Sequence, residues 1–188
     1  DDNIEYRRFT LSLIPPAIII LFFWLVKIME VADDLDLFYY GIFPREIRGM
    51  IGIITSPFIH ANFNHLINNS VPFFFLLTAI FYFYHNVAWR VLLISYLSSG
   101  ILVWCIARSS YHIGASGLVY SFASFLFVSG IVRRNINLLA ISLLVIFLYG
   151  GMVWGIFPYR PDMSWESHLV GLTMGAVLAI LYRLEGLW

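Results

Sequence analysis

Residues 65–84 read HLINNSVPFFFLLTAIFYFY. A bilayer-spanning helix needs about 17–25 mostly apolar residues, and this stretch supplies them in one run. From Val71 onward it is almost wholly aliphatic and aromatic, whereas its first turns carry His65, Asn68, Asn69 and Ser70. That combination predicts a membrane helix with a polar mouth at one end. Five further segments have the same apolar character, at about 11–29, 89–107, 115–132, 137–157 and 167–184. Together they predict an all-α membrane protein with six transmembrane helices. The runs are long and continuous, not short and alternating, so strands are not expected.

Composition agrees. Of the 188 residues, 61% are hydrophobic and only 12% charged. Soluble domains run nearer half apolar and a quarter charged, and one soluble core of this size could not hide the surplus. Eleven basic and eleven acidic residues cancel, so no basic surface points to nucleic acid as a partner. Cys105 has no second cysteine for a disulfide or a metal site and reads as a small core hydrophobe. The sequence starts at Asp1 without a Met, as a processed or trimmed chain would. The first apolar run is long and is followed by others, which argues against a cleaved signal peptide. The pattern reads as a single domain over residues 1–188, with no repeat and no low-complexity tract.

Connections between the last five predicted spans are short, which implies an up-and-down bundle. Residues 30–64 are the exception. This stretch opens with Asp33, Asp34 and Asp36, turns aromatic at Leu37-Phe38-Tyr39-Tyr40, and is broken by Gly41, Pro44 and Pro57. It is too interrupted to span and too apolar for a free linker, so it predicts a large interfacial loop in the headgroup region. Long ordered loops are usually functional. Basic residues set orientation. With the N-terminus inside, Arg7, Arg8, Arg90, Arg133, Arg134 and Arg183 face the cytoplasm, and Lys27, Arg45, Arg48, Arg108 and Arg160 face out.

Polar groups at membrane depth are costly and default to functional hypotheses. Three clusters stand out, all at helix ends on the predicted outer side. In the first, His65 and Asn69 are four apart and share a helix face. Both can donate hydrogen bonds, which suits an oxyanion and is the favoured reading over a polar cap; for Asn62, Asn64 and Asn68 the cap is favoured. His60 and His65 are a poor zinc pair, because a spacing of five separates them by about 140° around a helix. The second is His112-Ile-Gly114-Ala-Ser116-Gly117-Leu-Val-Tyr120. A Ser at a helix N-terminus sits beside free amide groups in the positive end of the dipole. Gly-Ala-Ser-Gly is also ordinary small-residue packing. Tyr120 lies four after Ser116, on the same face. The third is Glu166-Ser167-His168, followed by Gly171 and Gly175. Ser167, Gly171, Gly175 and Ala179 form a small-residue stripe that lets another helix approach closely. If that partner is the fourth span, His168 comes within reach of Ser116, as a base must.

The order of His-x4-His-x3-Asn, Gly-x-Ser-Gly on a later span, and His before Gly-x-x-x-Gly on the last span resembles the rhomboid family. So do the six spans and the large first loop. The resemblance covers about residues 50 to 184. It implies an intramembrane serine protease in which Ser116 is the nucleophile and His168 the general base. His65 and Asn69, with the Ser116 amide, would form the oxyanion hole. His60 would sit at a water-accessible mouth, where it, Asn62 and Asn64 would admit the hydrolytic water. Gly114 would shape the loop before Ser116, Tyr120 would pack on the His168 imidazole, and Gly117, Gly171 and Gly175 would support the helix approach. Substrates would be single-span membrane proteins within the lipid bilayer, cut near a helix end without metal or cofactor. Many relatives carry Trp-Arg in the first loop; here that place is Ile51-Gly52, with Arg48 slightly earlier.

Other assignments compete. Glu166 lies two before His168 and so points to another helix face, which argues against a third triad member. His112 is a rival base or, more simply, a wetted loop residue. A catalytically silent rhomboid-like protein that binds membrane clients is the alternative function, though such a protein should lack Ser116 or His168. A transporter would favour mid-span ionisable residues, an aspartyl protease two carboxylates within spans, and a metalloprotease His-Glu-x-x-His. None of these patterns is present. Pro158 and Pro161 bound the loop to Ser164, a candidate gate. The small, domain-free build suits a bacterial plasma membrane.

Overall fold

A computed structural model describes residues 2–134, 136–149, 154–158 and 163–184. Its helices are α1 (Asp2–Ala32), α2 (Gly52–Thr55), α3 (Phe63–Phe83), α4 (Ala88–Ile106), α5 (Ser116–Arg133), α6 (Ile136–Tyr149) and α7 (Trp165–Leu181). Helices α1, α3, α4 and α5 are each long and apolar enough to cross a membrane, and α6 and α7 are apolar but shorter. The protein is thus an all-helical, multi-pass membrane protein. The third and fourth predicted spans match α4 and α5 to within a residue. The first expectation was too short. α1 runs through Pro15 and Pro16 instead of starting near them, because its polar first turns have partners on the α3–α4 turn. Arg8 bonds His85 at 2.9 Å, and Tyr82 donates to Glu5 at 2.7 Å. The fifth expectation was too long among the described residues: α6 is Ile136–Tyr149, and Trp154–Ile156, inside the predicted span, form a 3-10 turn. Residues 150–153 of that predicted span, together with Arg160, Pro161 and most of the candidate gate, lie outside the described residues.

α5 is the hub. It packs against α3, α4, α6 and α7, and carries Phe122, Phe125 and Leu126 into a core shared with Phe73 and Leu77 of α3 and Leu178 of α7. A helix apolar on all sides belongs in the middle of a bundle. α1 lies outermost and turns Ile18, Leu21, Phe22 and Leu25 outward, a face made for lipid. Cys105 corrects the sequence reading. It is exposed on α4, on the side shared by the exposed Ile101 and Ile106, so it is a lipid-side residue and not a core one.

The α5–α7 seam decides where the chemistry falls. A Cβ on Gly171 would overlap the Gly117 carbonyl, and one on Gly175 would overlap the Ser121 carbonyl. Gly117 faces the Ser167 carbonyl at a distance that leaves a Cβ only 3.2 Å from it. The partner of the small-residue stripe is therefore the fourth predicted span, at backbone contact. Gly171→Ala is expected to cost about 1–3 kcal/mol through overpacking. The check is the thermal unfolding midpoint in detergent, and an unchanged midpoint would mean that the helices do not pack this closely.

Residues 33–62 form an ordered chain of short turns. Phe38–Tyr40, Ile47–Ile51 and Ser56–Phe58 are 3-10 turns, with α2 between the last two. Backbone bonds from Ile42 to His112 and back, at 3.0 and 2.9 Å, tie this lobe to the loop before α5. Trp104 Nε1 donates to the Glu46 carbonyl at 3.0 Å, and Arg45 to the Ala107 carbonyl at 2.7 Å. The basic residues also segregate. Arg8 meets the α3–α4 turn, while Arg90 and Arg133 meet Tyr182 at the end of α7. Lys27, Arg45 and Arg108 gather at the other end with the lobe.

Candidate active site

Ser116 is the first residue of α5, and His168 lies in the first turn of α7. The close seam puts His168 Nε2 at 2.8 Å from Ser116 Oγ. On its other side, His168 Nδ1 lies 2.9 Å from the Gly155 carbonyl oxygen. A carbonyl only accepts, so Nδ1 carries the proton and Nε2 presents its lone pair to the Ser116 hydroxyl. That is the tautomer a general base requires. Tyr120 stacks on the imidazole, with ring centroids 4.2 Å apart and planes 7° from parallel. His168 is 6% exposed, held by a hydrogen bond at each nitrogen and a ring on its face.

The opposite wall comes from α3. Asn62 caps the helix by accepting from the His65 amide at 2.9 Å, which fixes where the first turn begins. His65 and Asn69 then point toward the loop before Ser116. Gly114 sits between, with φ +97°, and donates its N–H to the Ser56 carbonyl at 2.8 Å. A Cβ there would lie 2.8 Å from His65 Nε2 and 3.3 Å from Asn69 Nδ2. Gly114 is therefore required twice, for its left-handed conformation and for the space beside two donors. Asn69 is buried, and its Nδ2 has no partner among the described residues. A buried amide donor left open is costly unless something else uses it. The amides of Ser116 and Gly117 precede the first α5 bonds, which Leu118 and Val119 make to the Ala115 carbonyl. They lie at the helix end, where amides point outward.

Two expectations need correction. His60 is not at a water-accessible mouth. It is 1% exposed, packed on Phe23 of α1 at 5.4 Å and on His65 at 5.1 Å. Of the three residues expected there, Asn62 and Asn64 are exposed. His112 is not a wetted loop residue either. It is 2% exposed, bonded to Ser164 Oγ at 2.6 Å and to the Arg108 carbonyl at 3.1 Å. Those partners use both its nitrogens, so it is not paired to Ser116 as a base. Glu166 meets Arg108, with 3.5 Å between Oε1 and Nε. Gly155, Ser164 and Lys27 went unnoticed as site residues. The first works through its carbonyl, which leaves no mark in a sequence.

Burial pushes the His60 pKa down to about 3 from an ordinary 6.5, with repulsion from His65 adding to it. Burial also holds His112 below its ordinary value. The unfolded chain thus binds these protons first. Stability is full above about pH 6.5 and falls on acidification by about 1.4 kcal/mol per unit for each such histidine, until its folded pKa is reached. His60→Phe keeps the packing on Phe23 and removes the His60 titration. It should flatten the decline of the unfolding midpoint between about pH 6 and about pH 4, and an unchanged slope would place the acid sensitivity elsewhere.

Uncharacterised proteins of Mycobacterium tuberculosis and Mycobacterium bovis are each 33% identical over 178 residues, covering 87% of this chain and 73% of their own. One from Mycobacterium leprae is 32% identical over 181 residues, covering 87% of this chain and 69% of its own. A family model, that of the Rhomboid domain, matches residues 48–185, a span holding the Ser116–His168 pair and the His65–Asn69 wall. By that match the chain belongs to the rhomboid family, whose members are generally intramembrane serine proteases.

Proposed function

We propose that this protein is an intramembrane serine endopeptidase that cuts single-span membrane proteins near the end of their helix. One observation carries the reading, the 2.8 Å approach of His168 Nε2 to Ser116 Oγ with Nδ1 held on a carbonyl. A nucleophile, a base in the right tautomer and a third group orienting the base make the minimal constellation for acyl transfer. In this reading α1, α3, α4, α5, α6 and α7 are six membrane crossings. Residues 33–62 lie at the outer interface, where Tyr39, Tyr40 and Ile47 are exposed. The Arg8, Arg90 and Arg133 end faces the cytoplasm, consistent with the positive-inside rule. The mycobacterial relatives favour a bacterial plasma membrane.

A substrate strand enters from the outer side in extended form. Ser116 Oγ attacks the scissile carbonyl carbon while its proton passes to His168 Nε2, and the carbonyl π pair moves onto oxygen. His65, Asn69 and the Ser116 amide donate to that oxyanion. It collapses, the C–N bond breaks, and the leaving amine takes the proton from Nε2. Water then gives a proton to His168 and attacks the acyl carbon; the ester C–O bond breaks and Oγ recovers its proton. The steps are nucleophilic and acid–base throughout.

The test is reconstitution in liposomes with a fluorescent single-span reporter carrying small residues near the helix end. Wild type should release the soluble fragment and Ser116→Ala should not. Reporter held in complex but uncut by wild type would instead support the client-binding alternative.

A further inference from the structure

Lys27 is unusual by position. It lies in α1, within an apolar helix, yet is 6% exposed and faces inward. A lysine there costs several kcal/mol unless its charge and donors are all met. They are. Nζ lies 2.7 Å from Glu30 Oε2, 2.9 Å from the His60 carbonyl and 3.3 Å from the Ala61 carbonyl. An ammonium has three donors, so none is left over. Two of the three grip consecutive carbonyls of the peptide that leads into α3.

That peptide touches the site. The Ala61 N–H donates to His65 Nδ1 at 3.4 Å. With Nδ1 an acceptor, the His65 proton sits on Nε2, the nitrogen beside Gly114. The Asn62 cap fixes the backbone of His65, but its ring orientation and tautomer depend on where the Ala61 amide points. Beyond these contacts, His60 is packed by rings.

We propose that Lys27, clamped by Glu30, is a positioning residue that holds the His60–Ala61 peptide so that His65 presents Nε2–H to the oxyanion. This rests on the protease reading above and extends it to α1, where the matched family domain does not reach. A lysine that merely ties α1 to α3 would alter stability and leave His65 chemistry untouched.

The experiment uses the full chain in detergent with ¹⁵N-labelled histidine, comparing wild type with K27M/E30Q, which removes the clamp without stranding either charge. His65 is assigned by the signal missing in His65→Asn. Wild type should show protonated Nε2 and bare Nδ1. The double variant should show mixed tautomers, with kcat on the reporter lower by about 10–100-fold, the penalty of a displaced donor, and KM within about twofold. A single Nε2–H tautomer in the folded double variant, or an unchanged kcat, would overturn the proposal. If that variant does not fold, Lys27→Arg replaces it. Its planar fork presents donors in a geometry different from that of the ammonium, so mixed tautomers and a loss of about 3–10-fold in kcat are expected, and wild-type values for both would overturn the proposal. The tautomer is read without turnover, so a chain in which cleavage ignores Ser116 would defeat the protease reading while Lys27's hold on His65 is still decided.

Discussion

Ser116→Ala and His168→Ala should each lower reporter cleavage by on the order of 10⁴–10⁶-fold, and the double variant should fall no further. The reason lies in how the two side chains share one step. Without His168, the Ser116 hydroxyl has no acceptor for its proton, since His112 is bonded to Ser164 and Arg108. Without Ser116, His168 has nothing to activate except water. Each single loss therefore removes the whole nucleophilic route. What remains is orientation and oxyanion binding, which still favour hydrolysis modestly. Activities are read as initial rates of fragment release in liposomes. Two losses that multiplied would mean that the residues act independently.

Asn69→Ala is the second large effect, and its stability arm runs the other way. Removing one oxyanion donor should lower kcat by about 10²–10³-fold. Removing most buried polar groups also destabilises the fold, because a partner is orphaned. Here Nδ2 has no partner among the described residues. Truncating it orphans nothing on that side, so the unfolding midpoint should hold or rise as activity collapses. Buried groups kept unsatisfied at a functional site are expected to trade stability for rate in this way. A fall of several degrees together with near-normal kcat would make Asn69 a structural residue.

The parts of the molecule that could be read in advance share a cause. α4 and α5 were legible because apolar length alone sets a membrane helix. The Ser116–His168 meeting was legible because Ser167, Gly171, Gly175 and Ala179 recur every four residues, and small residues at that period dictate a close helix partner. The misread parts depend on contacts between distant segments. His60 is dry because Phe23 of α1 covers it, and nothing near residue 60 records that. His112 is pinned by Ile42 across the first loop. Residues 2–10 look too polar for a span, yet they continue α1 because Tyr82 and His85 receive them. Lys27 registered only as a charge on one side of the membrane, since its role depends on two carbonyls in another segment. Gly155 contributes a backbone oxygen, which any residue at that position also has; its glycine is required because a Cβ would overlap Tyr120.

Labelling by a fluorophosphonate probe tests the central claim most directly, because the probe reacts only with a serine whose proton has somewhere to go. The full chain in detergent is compared with Ser116→Ala and His168→Ala, each checked for folding by its unfolding midpoint. Wild type should be labelled covalently, at Ser116 by mass, and neither variant should be. Labelling of Ser116→Ala at the wild-type level, or a His168→Ala variant that labels as fast as wild type, would contradict that claim.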